Sequence, residues 1–276
     1  MSDCQCGATT VIARYRTYHH MSLAGMGDPL PFVWTKMAER YSCLGFTHPM
    51  KDRLIALAGV AKDALKTNRA GEYLAGHWTQ DLASQLCWTV MDTWLRPAHY
   101  LASSWSWLSV FGRMEFIRHE YKRDKPSQID IKIISASCQP SGTVGLDSVK
   151  SGEIVLKGRI LDVEAEVVQA PQNKPAQYRL SHRGSGLEYK NFKPDCIMRP
   201  KEATNIEQVS ILFWGNTWID SAISEYRSTF MVLRVAQDRP GSFQRLGLFS
   251  FSTEKESQET QRWVDTCEVN TNICIV

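Results

Sequence analysis

Ser104-Trp105-Ser106-Trp107-Leu108-Ser109-Val110 is where the chain changes character. Before it, apolar residues recur with a helical period. After it, they alternate. Within the stretch itself Trp105 and Trp107 share one parity, and Ser104, Ser106, Leu108 and Val110 share the other. A period of two predicts an extended segment with two indoles on one face. Indole rings bury roughly 150–250 Å² each. The segment is therefore expected to fasten a helical layer to a β layer. The same rings would wall any pocket at that junction.

Upstream, Asp28-Pro29 makes a helix start, a cap followed by a residue whose missing N–H costs nothing in the first turn. Leu30, Val33, Trp34, Met37, Tyr41 and Leu44 then fall on one face, and Gly45 stops the helix. A second helix is predicted from Thr47-His48-Pro49 to about Lys66, with Leu54, Ile55, Ala58, Ala61 and Leu65 as its stripe. A third is predicted over about Thr79 to Leu95. There Trp78, Leu82, Leu86, Val90 and Trp94 recur every fourth residue, and Arg96-Pro97 ends the run.

Downstream, Ile129, Ile131 and Ile133 alternate. Glu153 to Val168 is the longest strand signal. Its parity slips at Ile160-Leu161, which predicts a bulge or a break there. Tyr178-Arg179-Leu180 is a short strand. Val209–Trp214, Phe230–Ala236 and Phe243–Phe251 are further strands. Residues 169–176 and 181–207 are rich in loop formers, and Glu254 to Glu259 reads as charged and exposed. The sum is an α+β fold: about three N-terminal helices packed on an antiparallel β-sheet or barrel. Residues 1–27 form an irregular segment and 28–252 one domain, with 28–95 the helical layer and 100–252 the β layer. Residues 253–276 form a tail.

The turnover stretch resembles the Pro-Ser-Trp-Ser-Trp-Ala-Ser-Val signature in the C-terminal half of fungal heterokaryon incompatibility (HET) domain proteins. Three other blocks resemble that family in the same order. They are Asp52-Arg53-Leu54-Ile55-Ala56-Leu57-Ala58-Gly59-Val60-Ala61, Glu72-Tyr73-Leu74-Ala75-Gly76-His77-Trp78 and Asp81-Leu82-Ala83-Ser84-Gln85-Leu86-Cys87-Trp88. Met231–Val235 and Gly241–Phe249 resemble the closing strands. The family's N-terminal HET blocks are missing, so the likeness is to the region after the HET domain. It implies a fungal allorecognition lineage, one that triggers cell death on fusion of unlike hyphae. Without the upstream domain it implies partner or ligand sensing alone.

The chain has 276 residues, 43% hydrophobic and 22% charged, which excludes disorder as a whole. Its 32 basic and 29 acidic residues nearly balance, so charge argues for neither nucleic acid nor a membrane surface. The opening Met1-Ser2-Asp3-Cys4-Gln5-Cys6 lacks a basic start and an apolar run, and no stretch approaches the ~18 apolar residues of a membrane helix. A cytoplasmic location is expected, with the eight Cys reduced. Cys4-x-Cys6 and His19-His20 do not have the spacing of a usual zinc module, so neither metal nor cofactor is expected.

The candidate site lies between helices and sheet. His77 and His99 are the acid–base candidates, because imidazole titrates near neutral pH. Trp78, Tyr100, Trp105, Trp214 and Trp218 are the ligand-binding candidates, the last two flanking Gly215-Asn216-Thr217. Two functions compete. The first is a HET-like interaction or regulatory module binding a protein partner or a hydrophobic small molecule. The second is a cofactor-independent cyclase or isomerase of fungal secondary metabolism, folding its substrate against the indoles.

Overall fold

The structure is a computed structural model. It describes residues 30–44, 49–66, 71–92, 96–97, 99–117, 128–141, 149–169, 177–196, 206–220, 224–252 and 254–276. The irregular segment expected over 1–27, with Cys4, Cys6, His19 and His20, lies outside them, as does Trp94. The chain divides into two compact units. One comprises Met1–Asp92, Pro97–Phe116 and Ala136–Glu153; the other comprises Thr93–Arg96, Ile117–Ser135 and Ile154–Val276.

The first unit opens with α1 (Leu30–Ser42) and α2 (Pro49–Leu65). In α1, Val33, Trp34, Met37, Ala38 and Tyr41 are buried, the spacing of one helical face. In α2 the buried face is turned from the expected stripe. Leu54, Leu57, Ala58, Ala61 and Ala64 are inside, whereas Ile55 and Leu65 are exposed.

The expected third helix does not form. In its place come β1 (Tyr73–Leu74) and β2 (His77–Trp78), a four-residue α3 (Leu82–Gln85), and β3 (Trp88–Val90), which pairs with β4 (Met114–Phe116). One backbone turn and the contacts of two side chains override the helical period. Asp81 sits at φ 60°, a left-handed turn that no continuous helix passes through. The Gln85 amide replaces helical backbone for Trp78, accepting from its N–H and donating to its C=O, both at 3.0 Å. The Trp88 indole donates to the Trp105 carbonyl at 3.0 Å and draws the chain out as a strand.

Nor is the Trp-Ser-Trp stretch a strand. Trp107–Ser109 is a single 3₁₀ turn, and every residue from 101 to 110 is buried, so parity assigns no face. Serine side chains make this possible. Ser106 Oγ donates to the Ala75 carbonyl at 2.6 Å and accepts from the Leu108 N–H at 3.0 Å. These are side-chain partners for backbone groups that a strand ladder would otherwise satisfy.

The second unit is built from β5 (Gln128–Ile129), the start of β6 (Lys132–Pro140), most of β7 (Val149–Gln169), β8 (Gln177–His182), β9 (Leu187–Phe192), β10 (Ile206–Asp220), β11 (Ser224–Val235), β12 (Phe243–Ser252), α4 (Glu254–Thr266) and β13 (Glu268–Ile275). The large sheet has nine strands and is mixed, because β12 and β13 meet in parallel at Phe243 and Ile275. β7, β10, β11, β12 and β13 form a closed circuit of pairings, and β8 and β9 extend from the far end of β7. The expected α+β layering of three N-terminal helices on an antiparallel sheet is thus overturned: the described residues are mostly β, and the sheet is mixed.

β7 shows neither bulge nor break at Ile160-Leu161. Its pairing with β13 ends at Ile160, and its pairing with β10 runs without a shift from Arg159 to Glu166. The parity slip marks this change of neighbours, with Ile154 and Leu156 buried before it and Val163 and Ala165 after it. Residues 187–192, expected as loop, are β9, and the expected tail supplies α4 and β13. Trp263 and Val264 of α4 pack into the core with Phe230, Phe249 and Phe251. Asp195 and Arg245 form a buried ion pair at 2.9 Å. No helix among the described residues is long and apolar enough to cross a membrane.

Candidate functional site

Three of the seven expected site residues come together. His77, Trp78 and Trp105 are fully buried in the first unit. The His77 ring lies 5.6 Å from that of Trp105 and 6.4 Å from that of Phe116. Trp78 meets Trp34 edge-on at 5.2 Å. Trp34 and Trp107 donate their indole N–H groups to the Gly76 carbonyl, and Arg53 lies over the Trp107 ring at 5.4 Å. Burial lowers the Arg53 guanidinium to about 10. This is a close-packed aromatic knot, and its edge-on pairs match the geometry that ring quadrupoles favour.

The other four lie elsewhere. His99 and Tyr100 are exposed, and Tyr100 shares a 2.9 Å hydrogen bond with Ser103. Trp214 is fully buried in the second unit. Trp218 belongs to the same unit, in β10, in register with Tyr226 of β11.

The second unit holds an open cavity of about 410 Å³. Its floor is one row across four strands. Gln128 of β5 faces Asn216 of β10, Asn216 faces Ser228 of β11, and Ser228 faces Phe251 of β12. α4 supplies the opposite wall through Thr260, Gln261 and Val264. At the mouth, Arg159 Nε stands 3.5 Å from Asp130 Oδ2, with both side chains partly exposed. Ser228 donates to Asn216 Oδ1 at 2.5 Å, so the protons of the Asn216 amide are the groups left to offer a ligand.

A bulge keeps this floor on one face. In the pairing of β10 with β11 the register jumps between Phe213 and Gly215, leaving Trp214 as a bulge. On a regular strand residues 213 and 216 point to opposite faces. The bulge restores Phe213 and Asn216 to one face, and both line the cavity. Gly215 takes φ 144°, and a Cβ there would stand 2.2 Å from the Gln128 carbonyl oxygen. Only glycine lets β5 dock so closely. The Asp130 N–H then donates to the Trp214 carbonyl at 2.9 Å, which fixes the acidic side of the mouth.

Sequence reading singled out Gly215-Asn216 as an insertion between two tryptophans. It missed Gln128, Asp130, Arg159, Ser228 and Thr260. The available signal was the glycine inside an apolar strand, which marks a bulge or a close backbone approach. Among the described residues no group of three His, Cys, Asp or Glu side chains converges to hold a metal, and no disulfide joins the cysteines. Comparison with known proteins returned no match: no family model, no curated protein and no solved structure aligns with this chain.

Proposed function

We propose that this chain is a binding module that recognises a small molecule in the cavity between the β10 bulge and α4. One observation carries the reading. The cavity combines an accessible acid and base, hydrogen-bonding amides and hydroxyls, and apolar surface from Phe213, Phe251 and Val264. A few placed polar groups over apolar surface is the usual composition of a ligand site. The resemblance to the post-HET region of incompatibility proteins supports a regulatory or interaction role, in which ligand occupancy is what a partner reads. The aromatic knot serves as scaffold in this reading. The cyclase or isomerase reading has less support, since His77 is enclosed among packed rings and His99 lies on the surface.

The test is retention of small molecules. Wild-type protein and a Ser228→Phe variant, which fills the cavity from its floor, are dialysed against a metabolite extract. Bound material is identified by mass spectrometry. Circular dichroism checks that both are folded. The reading expects a molecule retained by the wild type and lost by the variant. Identical retention by two folded proteins overturns it.

A further inference from the structure

We propose that the ligand of this cavity is a free α-amino acid with an apolar side chain. The inference rests on the binding-module reading and deepens it by naming the ligand's chemistry.

The Asp130–Arg159 pair lines the cavity. Its nearest approach, Nε to Oδ2 at 3.5 Å, is longer than the roughly 2.7–2.9 Å of a strong charge-assisted hydrogen bond. It is not the two-pronged fork that guanidinium and carboxylate make when they satisfy each other. Both groups thus keep capacity for a third party. A simple anion drawn to Arg159 would meet the Asp130 charge beside it. A simple cation drawn to Asp130 would meet Arg159. A ligand carrying both charges on adjacent atoms avoids both penalties. An α-carboxylate and an α-ammonium on one carbon are such a ligand, laid head to tail against the pair.

The rest of the cavity fits the remainder of the molecule. Phe213, Phe251 and Val264 give the side chain an apolar seat. Asn216, with its oxygen engaged by Ser228, offers amide protons to the second carboxylate oxygen. Thr260 is almost wholly buried on the helix wall, and its hydroxyl can accept a further hydrogen bond from the ammonium. The cavity's 410 Å³ falls within the roughly 300–1,000 Å³ of small-molecule sites.

The test is isothermal titration calorimetry of the full chain with L-leucine and L-phenylalanine. Saturable binding is expected. N-Acetyl-L-phenylalanine, which lacks the ammonium, and L-phenylalanine methyl ester, which lacks the carboxylate, should each bind about tenfold more weakly. Asp130→Asn should abolish the penalty for acetylation, and Arg159→Gln the penalty for esterification. A structural role for the pair would not produce this crossed pattern. Analogues that bind as tightly as the free amino acid overturn the proposal, as does the absence of heat with either amino acid at millimolar concentration on folded protein. The two readings fail separately. If amino acids do not bind but Ser228→Phe still abolishes retention of another molecule, the binding module stands and the zwitterion falls. If Ser228→Phe changes nothing, the cavity itself is not the site.

Discussion

Trp34 and Trp107 donate their indole N–H groups to the same oxygen, the Gly76 carbonyl, at 2.8 and 2.9 Å. One carbonyl with two lone pairs thus ties a residue of α1 to the 3₁₀ turn. Gly76 lies at φ 91°, and a Cβ there would stand 2.9 Å from both Trp107 Nε1 and Leu108 Cδ1. Trp107→Phe keeps most of the ring and loses the hydrogen bond, so it should cost about 1 kcal/mol. Trp107→Ala adds a cavity and should cost about 3–5 kcal/mol, enough to unfold a marginal protein. Urea titration of both variants checks the difference. Equal costs would mean that the hydrogen bond, not the ring, carries the stability.

Gly215→Ala should release β5 from β10. The new methyl meets the Gln128 carbonyl oxygen at 2.2 Å, and the backbone stays in a conformation that alanine resists. A loss of about 1–3 kcal/mol is expected from the overpacking alone. Hydrogen exchange should show the Asp130 amide, bonded to the Trp214 carbonyl, losing protection before the β11–β12 amides do. Uniform loss across the sheet would refute the local role given to this glycine.

Arg245→Met should destabilise the second unit by about 3–5 kcal/mol, because it leaves the buried Asp195 carboxyl without its ion-pair partner, with only the field of Arg96 remaining. The double variant Asp195→Leu/Arg245→Met should recover most of that loss, since an apolar pair of similar volume has no charge to desolvate. Thermal melts of the two single variants and the double variant form the cycle. Additive losses would show that the pair is not coupled.

Burial pushes the thiols of Cys138 and Cys267 up to about 12 and that of Cys196 up to about 11, against an ordinary 9. A raised pKa means that the folded chain holds these protons more firmly than the unfolded chain does. The stability they contribute is complete below the ordinary thiol range and is lost as pH rises through about 9 to 12. The melting temperature should therefore decline above pH 9. At pH 8, iodoacetamide should label these three cysteines far more slowly in the native protein than in denaturant. Equal rates would show them exposed as thiolates.

Long apolar strands were legible in the sequence because their signal is local. Val209–Trp214 and Phe243–Phe251 lie in β10 and β12, and Phe230–Ala236 overruns the end of β11 by one residue. α1 and α2 were legible for the same reason. The third helix was not, because the fourfold recurrence of Trp78, Leu82, Leu86 and Val90 is overruled by partners distant in sequence, such as Trp105 for Trp88. The Trp-Ser-Trp alternation misled because all its residues are buried, so the period of two had no solvent side to report. Of the candidate site, the sequence pointed to Gly215-Asn216 and no further. Gln128, Asp130, Arg159, Ser228 and Thr260 become neighbours only through strand register, which composition and spacing do not encode.

The Trp214 bulge makes recognition depend on a kink. Straightening β10 through Trp214, with no residue lost, would leave each polar group of the cavity in the chain. It would also turn Asn216 to the reverse face of β10, because residues three apart on a regular strand point oppositely. A sheet built this way can lose its binding floor by a change of backbone path alone, with no change in the chemistry of its side chains.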